Sequence, residues 1–256
     1  MRKLAFGYST KCNIRCEYCV ATEDLPADKK MDSDRAREII VEMAQAGVGG
    51  ISFSAGEPFL YFNEIVALVK LCQRIGIYTR MVTNSFWAKT AASSDRRVSE
   101  LKKNGLCQLR LSFSRWHQKH VNKDNVLNAG RAVSFKRRQI LTDYQASCCD
   151  MNPCLTPDLD MYACCDAGSH FPETDFFYLG NLKDNTIKQL FAKTETDRLH
   201  NLIRTMGIAH IASYTGMRAR EIITYSKCEL CRKLFNSPET VTRLKAEIPQ
   251  LTAWCR

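Results

Sequence analysis

Three cysteines near the start of the chain have a spacing that suits an iron–sulfur cluster. Cys12, Cys16 and Cys19 form a C-x₃-C-x₂-C pattern. A 4Fe–4S cluster in an electron-transfer protein takes four thiolates, so three thiolates leave one iron open, and an open iron can bind a substrate. A structural zinc site prefers four ligands, usually as two C-x₂-C halves, and no fourth ligand is near. The pattern therefore favours a cluster with one vacant corner.

A second set of cysteines lies in the later part of the chain. A turn is predicted at Asp158-Leu159-Asp160, which would bring "CLTP" and "MYACC" together, and "CELC" returns much later. The set is Cys148, Cys149, Cys154, Cys164, Cys165, Cys228, Cys231 and Cys255. Adjacent cysteines rarely bridge one another, so a disulfide-rich secreted domain is not favoured. Two more cysteines, Cys72 and Cys107, are predicted to be buried packing residues.

Composition narrows the class of protein. The chain has 256 residues, 45% of them hydrophobic, enough for one large domain with or without a small appendage. The N-terminal segment lacks a secretory apolar core, and no run approaches the roughly 18 apolar residues of a membrane helix, so a soluble, cytoplasmic protein is expected. The net charge of +10 is scattered. Such a charge indicates either a solvated basic surface or attraction to an anionic substrate or acidic peptide, and it does not decide between them. Nucleic acid is not favoured, because no basic-aromatic module is visible.

The cysteine loop must be positioned by the elements around it, which alternate between strands and helices. Strands are predicted at residues 4–8, 50–54, 78–83, 107–114 and 139–144. Helices are predicted from Ser33 to Gly47, Asn63 to Gly76, Asp95 to Lys103, Lys123 to Phe135 and Thr186 to Tyr225. This order predicts an α/β fold with a parallel sheet. Leu109, Leu111 and Phe113 alternate with Arg110, Ser112 and Ser114, and a polar inner face predicts a curved, barrel-like sheet.

Residues 1 to about 145 resemble the radical S-adenosylmethionine (SAM) enzymes. The resemblance is carried by Cys12-Asn13-Ile14-Arg15-Cys16-Glu17-Tyr18-Cys19, by Ser54-Ala55-Gly56-Glu57-Pro58, by Thr83-Asn84 and by Ser112-Phe113-Ser114-Arg115. The second segment looks like the family's Gly-Gly-Glu-Pro motif, with Ala55 replacing the first glycine. The implied fold is a partial, open TIM-like barrel, with Cys12, Cys16 and Cys19 holding a 4Fe–4S cluster.

The resemblance also implies a cofactor site and a chemistry. SAM would chelate the open iron, and one electron would cleave it to methionine and a 5′-deoxyadenosyl radical that abstracts a hydrogen from a substrate. SAM contacts are expected at Tyr18, Gly56, Glu57, Thr83, Asn84, Ser112, Ser114 and Arg115. No catalytic residue is assigned, and a flavodoxin- or ferredoxin-type reductant is implied. His117 and His120 are interpreted as a solvated loop or a substrate contact rather than a metal site.

Residues 146–256 resemble the auxiliary-cluster modules called twitch and SPASM. One auxiliary 4Fe–4S cluster is expected, held by Cys149, Cys164, Cys228 and Cys231. Cys148, Cys154, Cys165 and Cys255 are alternates, and a second cluster is left open. A Cys₄ zinc site that holds the appendage together is the alternative, because thiolate sets suit both metals.

Three functions are compatible with these patterns. The first is modification of a ribosomally made peptide by a radical SAM oxidoreductase or maturase. A cysteine loop that begins at Cys12 leaves no room for an N-terminal peptide-binding domain, so a separate peptide-recognition protein would then be needed. The second is dehydrogenation of a small aminocyclitol or amino sugar. The third, from another class, is a zinc-bearing nucleic-acid-binding protein, motivated by the charge and the C-x₂-C.

Overall fold

The computed structural model of the chain describes residues 2–17, 19, 28–133, 151–165, 176–217 and 227–254. The chain divides into two units, each with its own internal contacts. The first unit consists of Met1–Ile140 and Leu155–Asp158, and the second of Leu141–Cys154 and Leu159–Arg256. The boundary predicted near residue 145 separates two domains with different predicted functions, and those functions stay predictions.

The first unit contains a parallel sheet whose strands end on one edge. Its strands are β1 (Arg2–Phe6), β2 (Val48–Phe53), β3 (Tyr78–Thr83) and β4 (Gln108–Leu111). They lie in the order β4-β3-β2-β1, and each neighbouring pair is parallel. The α/β prediction with an open rather than closed barrel is therefore confirmed. Since parallel strands point the same way, the loops that follow them meet at one edge of the sheet.

Helices connect these strands, as the alternating pattern predicts. They are α1 (Ser33–Gln45), a 3₁₀ helix (Pro58–Tyr61), α2 (Phe62–Arg74), α3 (Ala91–Lys103), α4 (Arg115–Gln118) and α5 (Lys123–Val133). Two helix starts differ from prediction. Asp32, not Ser33, caps α1, because its carboxylate accepts from the backbone N–H groups of Asp34 and Arg35. The next difference is at α3, which begins four residues early because Thr90 and Ser93 form a capping box.

One face of the sheet packs under the helices and the other carries polar groups. Phe6 pairs with Phe53, and Phe53 with Met81, and all three side chains are fully buried. On the opposite face Ser52 pairs with Arg80, whose Nε donates to the Ser52 hydroxyl at 3.0 Å. The polar inner face is thus present.

Two predictions about the edge strand β4 were wrong. This strand ends at Leu111, so Phe113 lies beyond the sheet and is 55% exposed. Cys72 is buried in α2 as predicted, but Cys107 is exposed. Among the described strands of the first unit, β4 pairs with β3 alone. Cys107, which lies just before β4, is therefore covered on one side at most. The predicted fifth strand at 139–144 lies outside the described residues.

The second unit combines a two-stranded antiparallel ribbon with helices. Cys154–Leu155 (β5) spans the boundary between the units, and β6 (Asp160–Tyr162) pairs with β7 (Tyr178–Asn181). The predicted turn before β6 is present, with Leu159 at a φ of +70°. The helices are α6 (Ile187–Thr196), α7 (Arg198–Met206), α8 (Ile208–Tyr214), α9 (Lys227–Phe235) and α10 (Pro238–Trp254).

The long helix predicted from Thr186 is divided into separate helices. Asp197 ends α6 and caps α7, since its carboxylate accepts from the backbone N–H of His200. Gly207, at a φ of +81°, separates α7 from α8. The part of the predicted helix from 218 onward lies outside the described residues. None of the described helices is both long and apolar enough to cross a membrane.

Candidate functional site

The loop after β1 carries the three N-terminal cysteines. Ser9, just past the strand, forms an isolated bridge with Lys30, which ties the loop down at its base. The side chains of Cys12, Cys16 and Cys19 are all partly exposed. The Cys19 N–H donates to the Cys16 carbonyl at 3.1 Å, so the second and third cysteines lie on one turn. Tyr18, a predicted SAM contact, lies outside the described residues.

The three thiols influence one another electrostatically. The pKa of the Cys16 thiol is raised to about 11, mainly by burial and to a smaller extent by the neighbouring Cys19 and Cys12 thiols. Burial also raises the pKa of Cys12, with smaller contributions from Glu57 and Cys19. Three thiolates so placed repel each other, and a bound cation is what would hold them deprotonated.

The loop can supply ligands to a cluster rather than to a single ion. Within the described residues, no three Cys, His, Asp or Glu side chains converge tightly enough to hold one metal ion. A 4Fe–4S cube does not require that convergence, because each thiolate binds a different iron. Three partly exposed thiols on one loop therefore fit this group in their donor chemistry.

The turn after β2 packs directly against the cysteine loop. A Cβ added at Gly56 would lie 2.3 Å from the Lys11 carbonyl oxygen and 2.7 Å from that of Ser9. Glu57 donates its backbone N–H to the same Lys11 carbonyl at 2.8 Å. Only glycine leaves room for this contact, so the predicted Gly-Glu motif positions the loop that bears Cys12.

Glu57 is a buried carboxylate surrounded by donors. Its side chain caps the 3₁₀ helix by accepting from the Phe59 N–H at 3.1 Å. It also accepts from the Thr83 hydroxyl at 2.8 Å and from the Asn84 N–H at 2.8 Å. Burial raises the pKa of Glu57 to about 7, and these three donors oppose that rise. The carboxylate thus fastens the end of β2 to the end of β3.

The residues after β3 connect that strand to the cysteines. The Asn84 amide donates to the Asn13 side-chain oxygen at 2.9 Å, and its nitrogen lies 3.9 Å from the Cys12 sulfur. The structure therefore brings the predicted residues Thr83, Asn84, Gly56 and Glu57 together beside Cys12.

Sequence reasoning missed two residues at this site. The Trp87 indole N–H donates to the Thr83 hydroxyl oxygen at 3.0 Å. Ser85 is fully buried, has a φ of +68°, and its hydroxyl has no hydrogen-bond partner among the described residues. Only the position of these two residues just past a strand end could have indicated a role.

The end of β4 contributes more exposed groups. The Ser112 N–H donates to the Thr83 carbonyl at 2.8 Å, so this segment remains attached to β3. The Ser114 hydroxyl pairs with His117 Nδ1 at 2.7 Å, and Arg115 is exposed with its guanidinium 4.5 Å from the Trp116 ring centre. Burial lowers the pKa of His117. His117 and His120 form no metal site among the described residues.

The second cysteine set is only partly described. Cys164 is buried, and the Cys154 thiol donates to its carbonyl at 3.4 Å. Cys228 and Cys231 are partly exposed on α9, three residues apart and so on one side of the helix. Cys165 is exposed. Cys148, Cys149 and Cys255 lie outside the described residues.

Several curated proteins are similar to part of this chain. Among curated proteins, the PqqA peptide cyclase of Bradyrhizobium diazoefficiens is 32% identical over 104 residues, which are 40% of this chain and 26% of that protein. The putative peptide biosynthesis protein YydG of Bacillus subtilis is 20% identical over half of this chain and 40% of that protein. The chain thus matches well under half the length of these relatives.

A solved structure resembles the chain over a longer stretch. The crystal structure of BtrN in complex with AdoMet and 2-DOIA covers 94% of this chain and 96% of its own, with a TM-score of 0.57 and 15% identity. At 15% identity, this similarity shows a shared fold and no more.

A family model assigns the N-terminal part of the chain. The model of the Radical SAM superfamily matches residues 7–143, which is more than half of the 256 residues. The match begins just before the cysteine loop and includes the turns after β2, β3 and β4. The chain therefore belongs to the Radical SAM superfamily of enzymes, and this membership implies a 4Fe–4S cluster and S-adenosylmethionine.

Proposed function

We propose that the chain is a radical SAM oxidoreductase or maturase that modifies a peptide by abstracting a hydrogen from an unactivated C–H bond. The observation that carries this proposal is the attachment of the cysteine loop to two strand ends. The Asn84 amide nitrogen lies 3.9 Å from the Cys12 sulfur, and the Glu57 N–H donates to the Lys11 carbonyl. When bound, the cluster and SAM supply a one-electron cleavage that yields a 5′-deoxyadenosyl radical. A flavodoxin- or ferredoxin-type protein is the proposed electron donor.

The chain's own residues hold and orient these groups. Cys12, Cys16 and Cys19 would ligate three irons. The Asn84 amide, 3.9 Å from the Cys12 sulfur, would stabilise that thiolate by a weak N–H···S contact. Glu57 and Thr83, which are hydrogen-bonded to each other, would form a buried polar wall for the SAM amino group, and Gly56 would supply the backbone edge. Ser112, Ser114, Arg115 and Tyr18 complete the proposed SAM contacts.

A peptide substrate is favoured over a small molecule by two observations. Two curated relatives carry names that refer to peptides, PqqA peptide cyclase and putative peptide biosynthesis protein YydG. The net charge of +10 also suits an acidic peptide. A separate peptide-recognition protein would then be a further partner.

Cleavage of SAM provides the test of this function. Reconstituted, reduced protein incubated with SAM is expected to form 5′-deoxyadenosine, and Cys12→Ala, Cys16→Ala or Cys19→Ala is expected to abolish it. Cys107→Ala is the matched control, because this exposed thiol lies outside the loop. Wild-type cleavage by the Cys16→Ala variant would contradict the assignment.

We further propose that residues 146–256 carry one auxiliary 4Fe–4S cluster. Its ligands would be Cys149, Cys164, Cys228 and Cys231, and the spacing of Cys228 and Cys231 on one side of α9 supports two of them. Its role would be electron transfer with the substrate. Cys154 stays an alternate ligand, because the hydrogen bond from its thiol to the Cys164 carbonyl places it beside a proposed ligand.

Dehydrogenation of an aminocyclitol or amino sugar is the second candidate. It is favoured by the resemblance in fold to BtrN, whose structure holds AdoMet and 2-DOIA, along nearly the whole of both chains. The two candidates separate in one assay. Supplied with SAM and reductant, the protein is expected to consume a precursor peptide encoded by a neighbouring gene, and 2-DOIA is expected to remain unchanged. Turnover of 2-DOIA would favour the second candidate.

A further inference from the structure

A concave groove lies on the first unit where the 3₁₀ helix and the start of α2 face the first two turns of α3. Its volume is about 820 Å³, within the usual range for ligand pockets. The residues that line it are Phe59, Leu60, Tyr61, Phe62, Asn63, Glu64, Trp87, Lys89, Thr90, Ser93, Arg96, Arg97 and Glu100. None of the proposed cluster or SAM ligands is among them, so the groove is a different feature from the site described above.

The floor of the groove is aromatic and held in place. Phe59 and Trp87 stack with ring centres 4.0 Å apart and planes 8° from parallel. Both are almost completely buried, at 4% and 6% exposure. The hydrogen bond from Trp87 to Thr83 fixes the indole from behind. Phe62, which is partly exposed and stacks on Phe59 with ring centres 5.2 Å apart, extends this floor into the open groove. Such a rigid aromatic surface can receive an apolar side chain with little loss of conformational entropy.

The rim of the groove carries three cations that have no carboxylate partner among the described residues. Within the described part of the chain, the side chains of Lys89, Arg96 and Arg97 make no hydrogen bond or ion pair, although the Arg97 guanidinium lies 4.8 Å from the Phe62 ring centre. The arginines of α1 behave differently, because Arg35 and Arg37 each pair with a carboxylate of their own helix.

Two carboxylates also line the groove and reduce its positive charge only in part. Glu64 is already engaged, since it pairs with Lys30 and accepts from the Tyr8 hydroxyl. Glu100 is exposed at the far end of the lining. Three cations against one uncommitted carboxylate leave the groove positive.

The chemistry of the rim favours carboxylates over a phosphate. A phosphate commonly binds the free N–H groups at a helix N-terminus. At α3 the capping box occupies this position, because the Thr90 hydroxyl accepts from the Ser93 N–H and the Ser93 hydroxyl pairs with the Thr90 backbone. Guanidinium groups on an open rim instead suit the carboxylates of Asp and Glu side chains.

We propose that this groove binds an acidic segment of the peptide substrate, with an apolar side chain on the Phe59–Trp87 floor and carboxylates at Arg96, Arg97 and Lys89. The inference rests on the proposed peptide-modifying function and adds a docking surface to it. The segment lies apart from the reacting residue, so that binding at the groove holds the peptide while another part of it is modified.

The test is a binding measurement on the reconstituted full chain. The probe is a short fluorescein-labelled peptide of glutamate and phenylalanine, followed by fluorescence anisotropy. Arg96→Gln/Arg97→Gln is expected to raise the Kd about tenfold, which is about 1.4 kcal/mol, because two exposed ion pairs with the peptide are lost. Lys102→Gln/Lys103→Gln, which removes the same charge from the last turn of α3 outside the groove, is expected to change the Kd less than about twofold.

Several outcomes would overturn the inference. They are equal weakening by the two double variants, absence of binding to the wild-type chain, and equal binding of a peptide with glutamine in place of glutamate. Displacement by pyrophosphate at concentrations comparable to the peptide would show a phosphate site instead. SAM cleavage is measured on the same samples. A wild-type chain that cleaves SAM but does not bind the peptide refutes the groove alone, whereas a wild-type chain that binds the peptide but does not cleave SAM supports the groove and refutes the proposed enzyme function.

Discussion

Ala55 holds a backbone conformation that residues other than glycine rarely adopt. Its φ is +82°, and it stands where the family motif has its first glycine. For an L-residue this conformation brings Cβ too close to the following carbonyl oxygen, at a cost of roughly 1–2 kcal/mol. Gly56 follows at a φ of +56°, so the turn between β2 and Glu57 needs two left-handed residues in succession. The chain therefore retains strain beside its proposed cofactor site.

We expect Ala55→Gly to raise the free energy of unfolding by about 1 kcal/mol, because relief of the strain exceeds the added freedom of glycine in the unfolded chain. Urea denaturation measures the change. Ala44→Gly is the matched control, since Ala44 lies inside α1 and glycine there should lower the free energy of unfolding by roughly 0.5–1 kcal/mol. Destabilisation of similar size by both variants would show that the turn is not strained.

Glu57 makes the stability of the apoprotein depend on pH. Its pKa is raised from 4.5 to about 7, mainly by burial, so the folded state favours the protonated carboxyl. Between these two values the unfolded chain releases the proton before the folded one does. The stability linked to this group is therefore fully present below pH 4.5 and is lost as the pH rises toward 7.

We expect the stability of the wild-type apoprotein, relative to Glu57→Gln, to fall between pH 5 and 7 and to level off above 7, as measured by urea denaturation at each pH. Glu100→Gln, at an exposed position, controls for loss of a carboxylate elsewhere. A constant difference between wild type and Glu57→Gln across this range would mean that Glu57 titrates alike in both states.

At the scale of elements, the turn after β2 determines where the cysteine loop lies. The backbone of Gly56 approaches the Ser9 and Lys11 carbonyls so closely that no Cβ fits between them. The end of β3 adds a second attachment through Asn84, which contacts Asn13 and Cys12. Two strand ends thus hold the cysteine loop, in which the described residues 10–17 form no helix or strand.

We expect Gly56→Ala to displace the cysteine loop, because its Cβ would lie 2.3 Å from the Lys11 oxygen. Iron incorporated at the loop on reconstitution, about four atoms, should be largely lost, as measured by iron analysis. Gly76→Ala is the control: Gly76 also has a positive φ, of +76°, but nothing lies within 4 Å of the added Cβ. Full iron loading by a folded Gly56→Ala variant would contradict this role of the turn.

At the scale of the whole molecule, the two units differ in how their cysteines are arranged. In the first unit the three cysteines lie on one loop that neighbouring strand ends hold in place. In the second unit the proposed ligands come from the ribbon segment at Cys164 and from α9, far apart in the chain. A metal that joins such distant segments would stabilise the second unit.

We expect reconstituted protein to contain about eight irons, the sum of two cubes, and Cys228→Ala/Cys231→Ala to contain about four. Iron and zinc analysis measures both. The double variant should still form 5′-deoxyadenosine while substrate turnover stops, and Cys107→Ala should keep all the iron. Four irons and one zinc per wild-type chain would contradict the auxiliary cluster and support the structural zinc site instead.

Local signals predicted much of the first unit. Strand β3 has the predicted bounds, Tyr78–Thr83, because a run rich in β-branched and other strand-forming residues there lies between Gly76 and Asn84. Helix α1 ends near the predicted Gly47, whose φ of +80° suits glycine alone. The edge strand β4 was overextended, since alternation beyond Leu111 continues in the sequence while the pairing to β3 ends. The long helix after Thr186 was overextended too, because helical periodicity persists across Asp197 and Gly207.

Residue types and their spacing were enough to predict the three-thiol loop, the alternation that makes a parallel sheet, and the motif positions at the strand ends. These features act locally along the chain. The packing of distant segments was needed to show that Glu57 is buried among three donors, that Trp87 supports Thr83, and that Lys89, Arg96 and Arg97 line one groove with Phe59. Burial and the meeting of distant segments depend on how the sheet and helices pack, and residue spacing does not encode that packing.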